Sequence, residues 1–439
     1  MDQNQNKSYR TAFIFLTVLF FLWGFITVLV DSLIPRLREV FTLSYFQAGM
    51  VQFAFFGAYF LFSIPAGYIL SKIGYKRGII VGLVTMGVGC LLFYPAASMR
   101  VFGIFMLAYF TLAAGITFLQ VAANPYVTVL GPERTASSRL NLSQAFNSLG
   151  TAIAPAIGAL FILKDKVMTS GEIEAMSGDL KADYFINEAA AVQVPFLGIA
   201  AFIGIIALLF VFVKLPKIGD TAASNDYRGV LKNKNLMLGA LGIFFYVGAE
   251  VALGSYMVNY FLNLDLAETI KNTSFMRNIA EWILSSGIST SSDMAIVGVF
   301  VTFYWTGAMI GRFIGSYLTK LINPAKVLII FAFLAVGMIL ISAFTDGLVA
   351  MWTLIAVGLF NSIMFPTIFS LALDGLGNDK PQGSGILCTM IVGGAIIPPA
   401  FGYMTDSYGF KTAFIIVILS YGYIFYYGLR NKSRKVSIQ

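Results

Sequence analysis

Apolar residues in this chain run on for about 20 positions at a time before a short polar stretch interrupts them, the length an α-helix needs to cross a bilayer core at 1.5 Å per residue. Twelve such windows predict twelve transmembrane spans. The first six lie at about 11–34, 46–71, 77–97, 101–129, 138–163 and 191–213, and the second six at about 236–263, 293–318, 325–345, 349–373, 383–404 and 410–429. The longest polar stretches are the 5–6 connection (164–188), a central linker (215–234) and the 7–8 connection (263–292). The first apolar window lacks a small-residue cleavage site and reads as a retained helix rather than a signal peptide.

Composition agrees: 58% of residues are hydrophobic and 11% charged, with 41 Phe and a mean hydropathy of +0.82, outside the balance of a soluble domain. There is no His, so any proton chemistry must use carboxylates. Cys90 and Cys388 lie far apart in apolar runs and form neither a disulfide framework nor a metal-ligand spacing, so no metal and no cofactor is expected. A net charge of +8 invites a nucleic-acid reading, but its distribution removes it. With both termini inside, 20 of the 29 Lys and Arg fall on inward-facing segments, the positive-inside pattern of a multi-pass inner-membrane protein with cytoplasmic termini. Lys72, Lys76 and Arg77 follow span 2, and Arg312 and Lys320 flank the 8–9 turn.

The halves echo each other. GYILSKI at 67–73 recurs as GSYLTKL at 315–321, and GTAIAPAIG at 150–158 recurs as GAIIPPAFG at 394–402, with offsets of 248 and 244 residues. The pattern predicts a duplicated unit: an N-terminal six-helix bundle (1–213), a cytoplasmic linker (214–235) and a C-terminal bundle (236–439). Repeats of this kind underlie alternating-access transporters whose substrate site lies near the midplane.

Two carboxylates, Asp31 and Glu250, sit deep in spans 1 and 7 with no Lys or Arg within a helical turn. A lone carboxylate there costs about 2.5–3.5 kcal/mol on insertion scales, which marks an ion or substrate pathway. The alternative is helix–helix glue. Around them the helical period gathers polar groups on single faces. Trp23, Thr27 and Asp31 follow at i, i+4, i+8. Gln120 and Asn124 stack just before Pro125, Gln144 and Asn147 share a stripe with Ser148 and Thr151, and Tyr246 sits one turn before Glu250. Asn361 in span 10 joins this candidate sugar-binding set. Amides and carboxylates serve ring hydroxyls and aromatics the C–H face of a sugar, although intramembrane amides also join helices. Trp305 and Trp352 fit sugar stacking, but a lipid-interface or packing role suits them at least as well.

The segment GYILSKIGYKR at 67–77 resembles the loop between helices 2 and 3 of the major facilitator superfamily. There Gly74 makes a tight turn, and Lys72, Lys76 and Arg77 favour a helix C-terminal dipole and latch neighbouring helices, with Arg312 grouped with this conformational loop. Ser71 stands where the family carries Asp. A closer resemblance rests on FFLWG at 20–24, DSLIP at 31–35, FTLSYFQAG at 41–49, AANPYVTVLGPE at 122–133, RLNLSQAFNS at 139–148, GRF at 311–313 and FPTIFS at 365–370. These runs are similar to the fucose permease group of sugar:proton symporters. The resemblance implies proton coupling at Asp31 and a sugar contact at Asn147. Gln120 replaces a carboxylate of that permease, and Glu250 replaces an amide, an exchange that looks more like the glucose/galactose and N-acetylglucosamine branch.

The expectation is therefore an all-α transporter, not an enzyme, that imports a neutral hexose or N-acetylhexosamine with H⁺ through rocking of two bundles, with Asp31 and Glu250 as cation-coupling residues. Its partners would be a small sugar, the cation and the lipid bilayer, without nucleic acid, and it would act as a monomer. Three alternatives stay open: Na⁺ in place of H⁺, efflux of amphipathic cations, and a sugar sensor that does not transport.

Overall fold

The computed structural model describes residues 3–31, 45–161, 176–216, 227–284 and 287–433, with side chains placed for most of them. Among these residues every regular element is a helix, and no strand occurs. In hydrocarbon each backbone N–H and C=O must be satisfied inside its own segment, and an unbroken apolar helix does this by itself. The helices are α1 (Gln3–Asp31), α2 (Tyr45–Met99), α3 (Phe102–Val129), α4 (Ala136–Phe161), α5 (Gly178–Phe212), α6 (Tyr227–Leu231) and α7 (Lys234–Asn263). They continue as α8 (Leu266–Asn272), α9 (Ser274–Ile283), α10 (Asp293–Leu321), α11 (Pro324–Phe344), α12 (Gly347–Asn361) and α13 (Met364–Leu373). The last three are α14 (Lys380–Thr389), α15 (Gly393–Tyr408) and α16 (Phe410–Asn431).

Ten helical stretches among the described residues are long and apolar enough to cross a membrane. One of them, Phe53–Met99, holds two of the predicted spans. It breaks at Gly74, whose φ of 77° and ψ of 166° suit only a residue without a Cβ. The remaining span is α4, whose amides dilute its hydropathy, so twelve transmembrane helices follow. Local signals set several starts: Asn233 accepts from the N–H groups of Asn235 and Leu236 to cap α7, and Asn323 caps α11 with Pro324 in the first turn.

The structure departs from the predicted boundaries in three places. Span 6 begins within α5, which extends back into the 5–6 connection to Gly178, because a helix outside the hydrocarbon needs no apolar surface. The 7–8 connection holds two short helices; the second buries Met276 and Ala280 and exposes Phe275 and Trp282. Spans 10 and 11 are each interrupted, the first between α12 and α13 and the second by a 3₁₀ turn at Met390–Val392. Discontinuous transmembrane helices free backbone groups for side chains and ligands.

Prolines produce part of that freedom. Pro125 in α3 and Pro366 in α13 lack the N–H that would bond the carbonyl four residues earlier. Each stripped carbonyl is met from another helix: Ser384 Oγ donates to Val121 O at 2.8 Å, and Arg312 Nε donates to Ser362 O at 3.2 Å.

The chain forms two compact units. One comprises Met1–Gly131, Phe146–Lys232 and Gly375–Thr389; the other comprises Pro132–Ala145, Asn233–Asp374 and Met390–Gln439. Each unit is thus one half of the sequence with a short segment taken from the other half, and the two exchanged segments lie at the repeat spacing. In the first unit α14 packs on α2 so closely that an ideal Cβ on Gly67 would lie 2.8 Å from Pro381 O, and one on Gly385 would lie 2.7 Å from Ser63 O. Tyr227 of α6 donates to Ile64 O at 2.9 Å beside them, and burial pushes its phenol up to about 12, which keeps the proton for donation. In the second unit the segment that opens α4 is sewn down by hydroxyls. Ser138 and Ser316 each donate to the other's carbonyl at 2.7 and 3.0 Å, and Asn141 donates to Thr367 at 3.2 Å. The echo at 67–73 and 315–321 therefore marks the two helix ends on which the exchanged segments dock.

Candidate substrate and coupling site

In the first unit the predicted polar positions lie on α1, α3 and α4. Trp23 is buried against Phe20, ring centroids 5.4 Å apart. Thr27 returns its hydroxyl to Trp23 O at 2.9 Å, the back-bond that lets a Thr sit inside an apolar helix. Asp31 is the last residue of α1, and its side chain lies outside the described residues. On α3 the half-buried Gln120 donates to the Tyr59 hydroxyl at 2.6 Å, and Asn124, one turn on, is fully buried. Asn147 on α4 donates to Phe20 O at 2.8 Å, which ties α4 to α1 with one end of the amide. Gln144, predicted on the same stripe, lies on the same helix and is buried.

The second unit holds a denser cluster. Tyr246 donates to Glu250 Oε1 at 2.6 Å, one helical turn apart. Arg312 Nη2 stands 3.7 Å from the same oxygen, and both charged side chains are 15% exposed. Both contacts converge on Oε1, and no described residue bonds Oε2. Behind them Asn361 is fully buried and donates to the hydroxyls of Tyr304 (2.6 Å) and Tyr421 (3.1 Å), while its carbonyl oxygen has no partner among the described residues.

Two expectations change. Glu250 has no cation within a turn in sequence, yet it has one in space, because α10 crosses α7 and brings Arg312 to it. Arg312 does not flank the 8–9 turn: it lies inside α10, well before Leu321, and its guanidinium is engaged by Glu250 and the Ser362 carbonyl. Asn361 braces two tyrosines through its amide nitrogen. Trp352 packs on Phe300 and Phe303, whereas Trp305 sits edge-on to Tyr304 and is about half exposed on the surface of α10.

In the conformational loop Gly74 makes the predicted turn. Lys72 lies over the Tyr68 ring at 4.1 Å and bonds its hydroxyl, and Arg77 is exposed. Lys76 donates to Val211 O at 2.8 Å, where α5 ends with unpaired carbonyls and the negative pole of its dipole. Tyr59, Tyr304 and Tyr421 are the functional candidates that pattern reading misses. Among 21 Tyr and 41 Phe in apolar helices, no spacing separates a buried hydroxyl from an aromatic filler. Among the described residues no group of His, Cys, Asp and Glu is able to hold a metal ion.

Comparisons with known proteins agree with this architecture. Residues 13–391 match the model of the Major Facilitator Superfamily. The chain is 47% identical over 431 residues to a glucose/galactose transporter of Brucella abortus biovar 1 (strain 9-941), covering 98% of this chain and 96% of the relative. It is 36% identical over 434 residues to the L-fucose-proton symporter of Escherichia coli (strain K12), covering 97% and 94%. The crystal structure of FucP, a major facilitator transporter in the outward conformation, superposes with a TM-score of 0.85 at 34% identity, over 98% of this chain and all of that one.

Proposed function

The chain belongs to the Major Facilitator Superfamily, and on that premise we propose that it is a proton-coupled importer of a neutral hexose or N-acetylhexosamine in a bacterial inner membrane, working by alternating access as a monomer with both termini in the cytoplasm. As a member of that superfamily it is a multi-pass transporter and not an enzyme. The observation that carries the sugar reading is Glu250: a largely buried carboxylate with one oxygen held by Tyr246 and Arg312 and the other bonded by no described residue. A carboxylate oxygen left without a protein donor is able to accept from a ring hydroxyl. The full-length likeness to a glucose/galactose transporter supports the same substrate class.

Within the first unit Gln120, Asn147 and Tyr59 carry donors and acceptors of the kind a sugar uses, and Trp23 and Thr27 lie at helical spacing from Asp31. Protonation of Asp31 would neutralise a charge that opposes passage through an occluded state of low dielectric. The loop of Lys72, Gly74, Lys76 and Arg77 would latch neighbouring helices between states. The test is an uptake panel of hexoses and N-acetylhexosamines in proteoliposomes, with pH and Na⁺ gradients imposed separately. Uptake that answers Na⁺ and ignores pH replaces the proton by sodium; a protein that moves none of these sugars refutes the reading.

The amides give a sharper check. Gln120→Ala and Asn147→Ala each remove a sugar partner, and an unmade buried hydrogen bond costs about 1–3 kcal/mol, roughly 5- to 150-fold in affinity. Asn147→Ala also releases the Phe20 carbonyl, so its melting temperature falls as well. Titration calorimetry that finds wild-type affinity in both variants would reduce the two amides to helix contacts.

A further inference from the structure

The geometry points to Arg312 as a positioning residue for Glu250, held in place by a backbone carbonyl that Pro366 leaves without its helical donor. Resting on the sugar reading, the inference assigns Arg312 to substrate affinity rather than to the loop that switches conformation.

Three observations converge. Arg312 lies inside a membrane-spanning helix with its side chain 15% exposed, where a cation is retained only with partners. Its Nε donates to Ser362 O at 3.2 Å, and in a regular helix that carbonyl would accept from residue 366. Residue 366 is proline, so the acceptor is open by covalent structure rather than by strain. The guanidinium thus has one edge fixed to the Ser362 carbonyl, at the break between α12 and α13, while Nη2 faces Glu250 Oε1 from 3.7 Å. At that separation the contact is an ion pair without a direct hydrogen bond, and Tyr246 makes the hydrogen bond to the same oxygen at 2.6 Å. Two partners on Oε1 restrict the rotation of the carboxylate and leave Oε2 without a described protein partner.

A planar, forked donor suits this bridge; lysine keeps the charge but grips a carbonyl and a carboxylate together less well. The guanidinium is proposed to act through the carboxylate, without touching the sugar, and that distinction is measurable. Exchange of labelled for unlabelled galactose or glucose across proteoliposomes, with no ion gradient, separates apparent KM from maximal rate. Arg312→Gln raises the apparent KM about 10-fold or more with little change in maximal rate, and Arg312→Lys recovers part of the loss. Pro366→Ala, which returns a donor to the Ser362 carbonyl and competes with Nε, raises KM in the same direction by a smaller factor. In a Glu250→Gln background both added changes shrink to about twofold or less, because the group they position is no longer charged.

Equal factors for Arg312→Gln in the two backgrounds, or an unchanged KM in the single variant, overturn the inference. If Arg312→Gln fails to insert, Arg312→Lys and Pro366→Ala complete the same cycle. A wild-type protein that exchanges neither sugar refutes the sugar reading itself, whereas wild-type exchange with an additive cycle refutes only the role of Arg312.

Discussion

Asp31→Asn is expected to abolish uphill sugar accumulation while sparing exchange of labelled for unlabelled sugar. An amide mimics the protonated carboxyl in shape and hydrogen bonding but cannot release its proton. At one proton per sugar, a gradient of one pH unit supplies about 1.4 kcal/mol, enough for about tenfold accumulation. In the variant the internal concentration should stop at the external one, whatever gradient is imposed. Full gradient-driven accumulation by Asp31→Asn would remove this residue as the coupling group. Its placement at the end of α1, eight residues from Trp23 and four from Thr27, makes it the first-unit carboxylate with the strongest claim to the task.

The second large effect is expected at Gly385. Its ideal Cβ would lie 2.7 Å from the Ser63 carbonyl, a backbone atom with no room to move, and Gly67 meets the Pro381 carbonyl in the same way. Overpacking a close helix contact costs about 1–3 kcal/mol, roughly a 5- to 150-fold shift away from the docked arrangement. Gly385→Leu should therefore lift α14 from α2 and reduce sugar uptake by about tenfold or more, with membrane insertion intact. The undocking is readable directly. In a background without the two native cysteines, both of which are buried, Ser384→Cys should resist a water-soluble maleimide. Adding Gly385→Leu should make it react. Wild-type uptake together with a protected cysteine would show that the close approach has no part in transport.

Much of this molecule is legible from one chain because its largest physical demand is local. Each span must satisfy its own backbone in hydrocarbon, so about 20 apolar residues declare a transmembrane helix with no reference to the rest of the protein. Asp31 and Glu250 stand out for the same reason: a carboxylate in an apolar run is conspicuous wherever its partner lies. Internal echoes read the duplication, and the echo at 67–73 and 315–321 proves to mark the docking ends for the exchanged segments. The FPT and AANP runs carry their prolines openly, although nothing in the string says which side chain meets the carbonyl each one strips.

What only the tertiary structure decides is who faces whom. Periodicity assigns Gln144 and Asn147 to one stripe of α4, and only the packing shows that Gln144 is buried and that Asn147 donates to the Phe20 carbonyl of α1. Counting charges by loop puts Arg312 at a helix end, whereas the crossing of α10 and α7 sets it against Glu250. Asn361 reads as a ligand by residue type, and only the packing reveals that its nitrogen is buried and donates to Tyr304 and Tyr421. Helical period records which residues of one helix share a face; it carries no information about the rotation and register of the neighbour. Those are settled by close packing, by glycines that let backbones touch and by carbonyls that prolines expose. The membrane fixes the twelve spans segment by segment, while the site is assembled from partners on different helices that only their packing brings together.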